Sequence, residues 1–305
     1  MNSITRRSLL GTAALNGLAS RLPAAELSDF KLGVTTDEID EDLRAAIQFL
    51  KRFDLKYAEI RGLWGKYNTS QPVKKIRHAK KLLDENSIHV CILDTAFFKV
   101  PLPPETAAGN RELDKQWALL DRAIERADIF GTDKIRTFAF RHPRGGKPDE
   151  SLYPRIATLL TEATRRAKKA GFRLALENVG GSHVCTAAHL SRMLEAVQDD
   201  AFGAIWEPNN SARSGGTSFP EGYRLIDPKR IFHVHLRDYC RTSSGKYEWC
   251  GVGQGDFDHV GQLRALLKDG YQETLSLETH FTIDGSKAKA SEFSIKGLLA
   301  AIAKA

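Results

Sequence analysis

Short apolar runs alternate with longer stretches of helical periodicity along most of this chain. Runs at residues 31–34, 57–60, 89–93, 134–138, 173–177, 203–207, 231–235 and 274–278 are four or five residues long and end at a polar break. Runs of that length read as strands buried on both faces, the form taken in parallel sheets. Between them, residues 41–50 place apolar side chains three and four apart, as an amphipathic helix does. The stretch 153–170 ends at Gly171 and 263–269 ends at Gly270, each a helix stop before the next strand. Eight strand–helix units in about 270 residues predict a single (β/α)8 barrel of the TIM type, an α/β fold. A doubly wound sheet requires a Gly-rich turn after its first strand, and Val34-Thr35-Thr36-Asp37 supplies none.

Composition adds little to this picture except at the N-terminus. Of 305 residues, 42% are hydrophobic and 27% charged, a globular balance that needs no staples to bury a core. The net charge of +7 is spread over helical segments such as 74–81 and 165–169, without the aromatic interleaving of a nucleic-acid surface. Neither a nucleic-acid nor a membrane partner is expected. Arg6-Arg7, a weakly apolar run over 8–19 and Pro23-Ala24-Ala25 describe a twin-arginine export leader over residues 1–25, with the barrel over 26–305 and the protein periplasmic or otherwise exported. Were the leader not functional, the protein would be cytoplasmic. Of Cys91, Cys185, Cys240 and Cys250, the last two flank one polar loop and have the spacing for a bridge, although free thiols are the expectation for all four.

Chemistry concentrates in the second half. The runs there end in Glu177, Glu207, His235 and Glu278. Residues at the C-terminal ends of barrel strands converge on one face. Three carboxylates and an imidazole there make a hard site for one divalent ion, manganese first, with magnesium, cobalt or zinc as alternatives. His233 and His235 share a face of their strand, so the residue nearer the C-terminal end should reach the ion, and His233 should sit one layer deeper as a core histidine.

Leu176-Glu177-Asn178, Trp206-Glu207-Pro208-Asn209-Asn210, the segment 233–238, the Gly-rich 251–258 and Leu275-Ser276-Leu277-Glu278 occur in an order and spacing that resembles the xylose isomerase-like barrel superfamily, in particular its sugar phosphate isomerase/epimerase group. The resemblance implies metal ligands at Glu177, Glu207, His235 and Glu278, although the second position is commonly aspartate. It also implies a sugar isomerase or epimerase in which Glu177 and Glu278 move protons on opposite faces of a small carbohydrate, through an enediolate. Asn210 and Arg241 match positions that face substrate, Glu59 orders the barrel floor or touches substrate, and His183 and His280 are candidates for the pocket wall. Trp64, Phe97, Phe98 and His142 follow early strands and are expected to form an apolar wall.

Three alternatives stand beside this reading. A lyase acting on keto-glycosides uses the same proton abstraction. A non-catalytic sugar-binding barrel would account for Glu207. A three-zinc nuclease on the same barrel needs more strand-end histidines than the nine in this chain provide. Related barrels assemble into homo-oligomers, a state no surface pattern here demonstrates.

Overall fold

The computed structural model describes residues 29–305. The expected leader lies outside them. The barrel strands are β1 Lys31–Thr35, β2 Tyr57–Ile60, β3 His89–Leu93, β4 Lys134–Thr137, β5 Arg173–Glu177, β6 Phe202–Trp206, β7 Ile231–Leu236 and β8 Thr274–Leu277. Every neighbouring pair is parallel, and β1 closes the sheet against β8 from Lys31 opposite Thr274 to Val34 opposite Leu277. Each expected strand is present, with ends displaced by one residue at most. Eight α-helices accompany them among the described residues: α1 Leu43–Arg52, α2 Val73–Asp84, α3 Ala107–Phe130, α4 Tyr153–Lys169, α5 Ala187–Ala196, α6 Pro208–Arg213, α7 His259–Lys268 and α8 Lys287–Ile302. None is long and apolar enough to cross a membrane.

The helices form where the pattern asks for them. In α1, Leu43, Ala46, Ile47 and Leu50 are buried along one stripe, and Asp42 caps the first turn by accepting from the Arg44 amide. α4 stops at Lys169, and Gly171 takes the left-handed conformation (φ 89°) that releases the chain into β5.

The main core lies between sheet and helices, and a smaller cluster of Cys91, Ile92, Ala175, Ile205 and Phe232 separates from it. Gly203 admits the Phe232 ring there, since a Cβ would stand 2.6 Å from it. The rest of the buried strand chemistry is polar. Lys134 donates to Glu273 (2.7 Å), and His233 is held between Thr274 (2.8 Å) and Glu59 (2.9 Å). His233 is therefore the expected core histidine.

Two features depart from expectation. Cys240 and Cys250 are joined in a disulfide, while Cys91 and Cys185 are free and buried. The loop between the pair folds as an antiparallel hairpin, Asp238–Arg241 against Tyr247–Cys250, which brings the two thiols together. Phe97 and Phe98 are fully buried, stacked on each other and packed against Trp117 of α3, so they belong to the core rather than to the lining of the cavity at the barrel mouth.

Candidate metal centre and substrate cavity

Four of the barrel's C-terminal strand ends carry the expected residues. Glu177 closes β5, Glu207 follows β6 as the N-cap of α6, His235 lies in β7, and Glu278 follows β8. Glu59, wholly buried in β2, accepts from Nε2 of His235 (3.1 Å) and holds that ring by its far nitrogen. Nδ1 is thereby turned toward Glu177 Oε1 and Glu278 Oε2, each 3.6 Å away, and has no hydrogen-bond partner. The three ligand atoms all lie within 4.8 Å of one another.

These residues fit a divalent ion. Neighbouring ligands on one first-row metal stand roughly 3–3.5 Å apart when each bond is about 2.0–2.2 Å. A buried imidazole nitrogen without a partner between two carboxylates is the donor set such an ion takes, and Glu59 is the outer carboxylate that fixes the histidine tautomer. Burial would lower the His235 pKa, but Glu59, Glu278 and Glu177 push it well above the ordinary value. The same field that holds a proton on Nδ1 attracts a metal ion, which displaces that proton on binding.

Buried arginines manage the remaining charge. Arg136 pairs with Glu177 (3.0 Å) and Asp94 (2.6 Å), while Arg61 pairs with Glu278 (2.7 Å), Asp37 (3.0 Å) and Glu38. Burial works to raise the Glu177 pKa, but Arg136 and His235 outweigh it and hold the carboxyl at about 2. Glu278 is likewise held well below the ordinary range, burial being outweighed by His280, Arg237, His235 and Arg61. Both glutamates are therefore ionised at neutral pH.

Glu207 behaves differently. One oxygen accepts from the Asn209 amide (2.9 Å), and the other is paired with Arg237, which also reaches Glu278 (2.9 Å). Its pKa is raised, burial prevailing over Arg237. Expected as the fourth ligand, Glu207 lies outside the group of ligand atoms that meet. Its carboxylate is committed to a helix cap and a guanidinium.

Above these groups opens a cavity of about 510 Å³. Arg61, Arg136, Arg237, Glu177 and Glu278 line its charged side, with Tyr67, Lys99, Asn210, Arg213, Trp249 and His280 around it. Asn210 and His280 thus face the space, as expected. His280 bonds Glu38 (2.7 Å), lies 3.4 Å from Glu278, and adopts a left-handed φ of 61°.

Two of the expected substrate contacts, Arg241 and His183, lie outside the cavity lining. Arg241 is exposed at the far end of the hairpin and donates to the Tyr247 hydroxyl (2.7 Å). His183 accepts from the Asp149 amide (3.1 Å) and packs edge-on to His142, outside the cavity lining. Glu59, expected either to order the barrel floor or to touch substrate, lies buried beneath His235 on the side of the ring away from the cavity lining. The expected aromatic wall is also replaced. Trp64 stacks on His78 instead, and Trp249 from the disulfide-closed hairpin lines the cavity.

Arg61, Arg136, Asp94 and Trp249 are site residues that the chain order did not disclose, whereas Arg237 was a foreseeable partner of Glu207. Arg136 had a visible signal, as a charged residue inside a buried strand, Lys134–Thr137.

Comparison with known proteins agrees with this architecture. A 3-dehydroshikimate dehydratase of Pseudomonas putida is 30% identical over 168 residues, which take in 52% of this chain and 26% of the relative. The match therefore spans about a quarter of that protein's length. Among solved structures, an IolI protein with a zinc atom superposes at a TM-score of 0.74, with 18% identity, covering 90% of this chain and 99% of the other. A D-tagatose 3-epimerase-like protein superposes at 0.69 with 19% identity, covering 89% and 98%. The xylose isomerase-like TIM barrel family model matches residues 47–297, and with its closed barrel this chain belongs to that family.

Proposed function

We propose that the protein is a metal-dependent enzyme that abstracts a proton next to a carbonyl of a small carbohydrate and returns it as an isomerase or epimerase. The observation that carries this reading is the partnerless Nδ1 of His235 between Glu177 and Glu278 at the cavity floor. Glu177, His235 and Glu278 would hold the ion, which when bound supplies a Lewis acid for the substrate carbonyl. The chain's own residues do the rest. Glu177, ionised and fixed by Arg136, is placed to accept a proton. Glu278, fixed by Arg61 and Arg237, stands across from it, and His280 at the rim lies close enough to carry its proton to solvent. Arg61, Arg136 and Arg237 also set positive charge beside an oxygen that becomes negative as the proton leaves.

A second reading has its own support. The relative from Pseudomonas putida is named a dehydratase, and loss of a proton next to a ketone can equally expel a neighbouring hydroxyl or alkoxide. Dehydration or aglycone release would then replace epimerisation. The Cys240–Cys250 bridge favours the exported location expected from the leader, since such bridges persist in oxidising compartments.

The test uses protein purified without chelators, its metal measured, and a panel of ketoses and keto-glycosides followed by proton NMR in deuterium oxide. Epimers carrying solvent deuterium support the first reading, and release of water or an aglycone supports the second. Glu177→Gln should fold with an unchanged circular dichroism spectrum and lose exchange by about 10²–10⁴-fold. Undiminished exchange in that variant would overturn the role given to Glu177.

A further inference from the structure

Five cationic side chains line the cavity, Arg61, Lys99, Arg136, Arg213 and Arg237, against two carboxylates, Glu177 and Glu278. Three of the five are already matched. Arg61, Arg136 and Arg237 each form at least two ion pairs with buried carboxylates. Lys99 and Arg213 have no carboxylate partner among the described residues. Each instead lies over an aromatic ring, Lys99 4.5 Å from the centre of Phe138 and Arg213 3.9 Å from that of Trp249. Arg237 lies over the same indole at 4.2 Å, so two guanidiniums crowd one ring.

The surroundings disfavour both positive charges. Burial and then Arg136 lower the Lys99 pKa, and burial and then Arg237 lower that of Arg213. Glu177 and Glu278 act on Lys99, and Glu207 on Arg213, only from a distance, so an anion entering the cavity would relieve both.

We infer that the cavity is built for a substrate bearing a carboxylate, which Arg213 binds directly while Lys99 adds attraction from across the mouth. This rests on the cavity being the substrate site, as proposed above, and it names the substrate class as sugar acids or keto acids rather than neutral sugars. Carboxylate is favoured over phosphate for a reason visible in α6. A phosphate dianion is commonly cradled by the free amides of a helix N-terminus. Here the Asn209 amide at that terminus is taken by Glu207. Arg213, at the other end of α6, offers the planar fork that suits a carboxylate.

The test compares three probes that differ only at C6: D-fructose, D-fructuronate and D-fructose 6-phosphate. Dissociation constants for the metal-loaded full chain are read by titration calorimetry, with solvent-deuterium exchange followed in the same samples. Fructuronate should bind on the order of tenfold more tightly than fructose. Arg213→Gln should bring that ratio close to one, with Lys99→Met reducing it less. Arg213→Lys should restore part of it. Equal affinity for fructose and fructuronate overturns the inference, as does a preference that survives both substitutions. Tightest binding of the phosphate overturns the choice of carboxylate. A carboxylate preference without deuterium exchange into any probe removes the proton-abstraction reading and keeps this one. Exchange into fructose with no preference does the reverse.

Discussion

The two sides of the barrel mouth treat equivalent glutamates in opposite ways. At the β5, β7 and β8 ends, Glu177 and Glu278 each place one oxygen 3.6 Å from the open nitrogen of His235, that of Glu278 being shared with Arg237. At the β6 end, Glu207 is equally buried, yet neither of its oxygens joins that group: one accepts from the Asn209 amide at the cap of α6 and the other pairs with Arg237. A guanidinium does not by itself separate the two sides, since Arg237 pairs with both Glu278 and Glu207; they differ in whether an oxygen is aimed at the histidine nitrogen or at a helix terminus.

His235→Ala should produce the largest effect. It removes the only nitrogen ligand, and metal affinity should fall by more than about a thousandfold, since site energies of roughly 10–16 kcal/mol are shared among few ligands. Competition with a chromogenic chelator measures it, and near-native affinity would show that the open side of the mouth is not the metal centre. Glu59→Gln should come next. The amide cannot hold both histidines as the carboxylate does, so affinity should drop about 10–100-fold while the three ligands remain.

Glu207→Gln tests the closed side. Metal affinity should stay within about tenfold of native. Stability should fall by about 3 kcal/mol, because a buried ion pair is broken from one side. Chelator competition and urea unfolding separate the two outcomes. A loss of affinity as large as that of His235→Ala would make Glu207 a ligand and erase the contrast.

The smallest effect at neutral pH is the one from titration. Glu38 and Glu177 are both held at about 2 against an ordinary 4.5. In each case burial is outweighed, by His280 and Arg61 for Glu38 and by Arg136 and His235 for Glu177. Carboxyls lowered in the folded state stabilise it fully above about 4.5, and that contribution drains away as pH falls through 2. Urea midpoints of metal-free protein should therefore decline from pH 5 to pH 2, and less steeply in Glu177→Gln. Equal slopes for the variant and the native chain would separate Glu177 from the acid sensitivity.

Much of the barrel was legible in the chain because its signals are local. An apolar run such as Arg173–Glu177 must be a buried strand wherever it packs, and a strand-end residue must face the mouth once the sheet closes. His233 and His235 lie on one strand face, one layer apart, as alternation requires. Arg241, on a short hairpin, and His183, in a loop, both lie outside the cavity lining, because neither belongs to the repeating strand ends that carry a residue to the mouth. The disulfide escaped for a related reason. Ten residues of separation permit a bridge, but the hairpin brings the thiols together.

By itself the sequence determined the closed parallel barrel and the positions of Glu177, His235 and Glu278 at its mouth, since strand identity and strand end are properties of a few consecutive residues. Only the tertiary structure decided which charges remain free. Arg136 meets Glu177 across 41 positions, Arg61 meets Glu278 across 217, and Arg237 meets Glu207 from the neighbouring strand. Coulomb energy depends on separation in space and on exclusion of water, and neither is written in the order of residues along the chain.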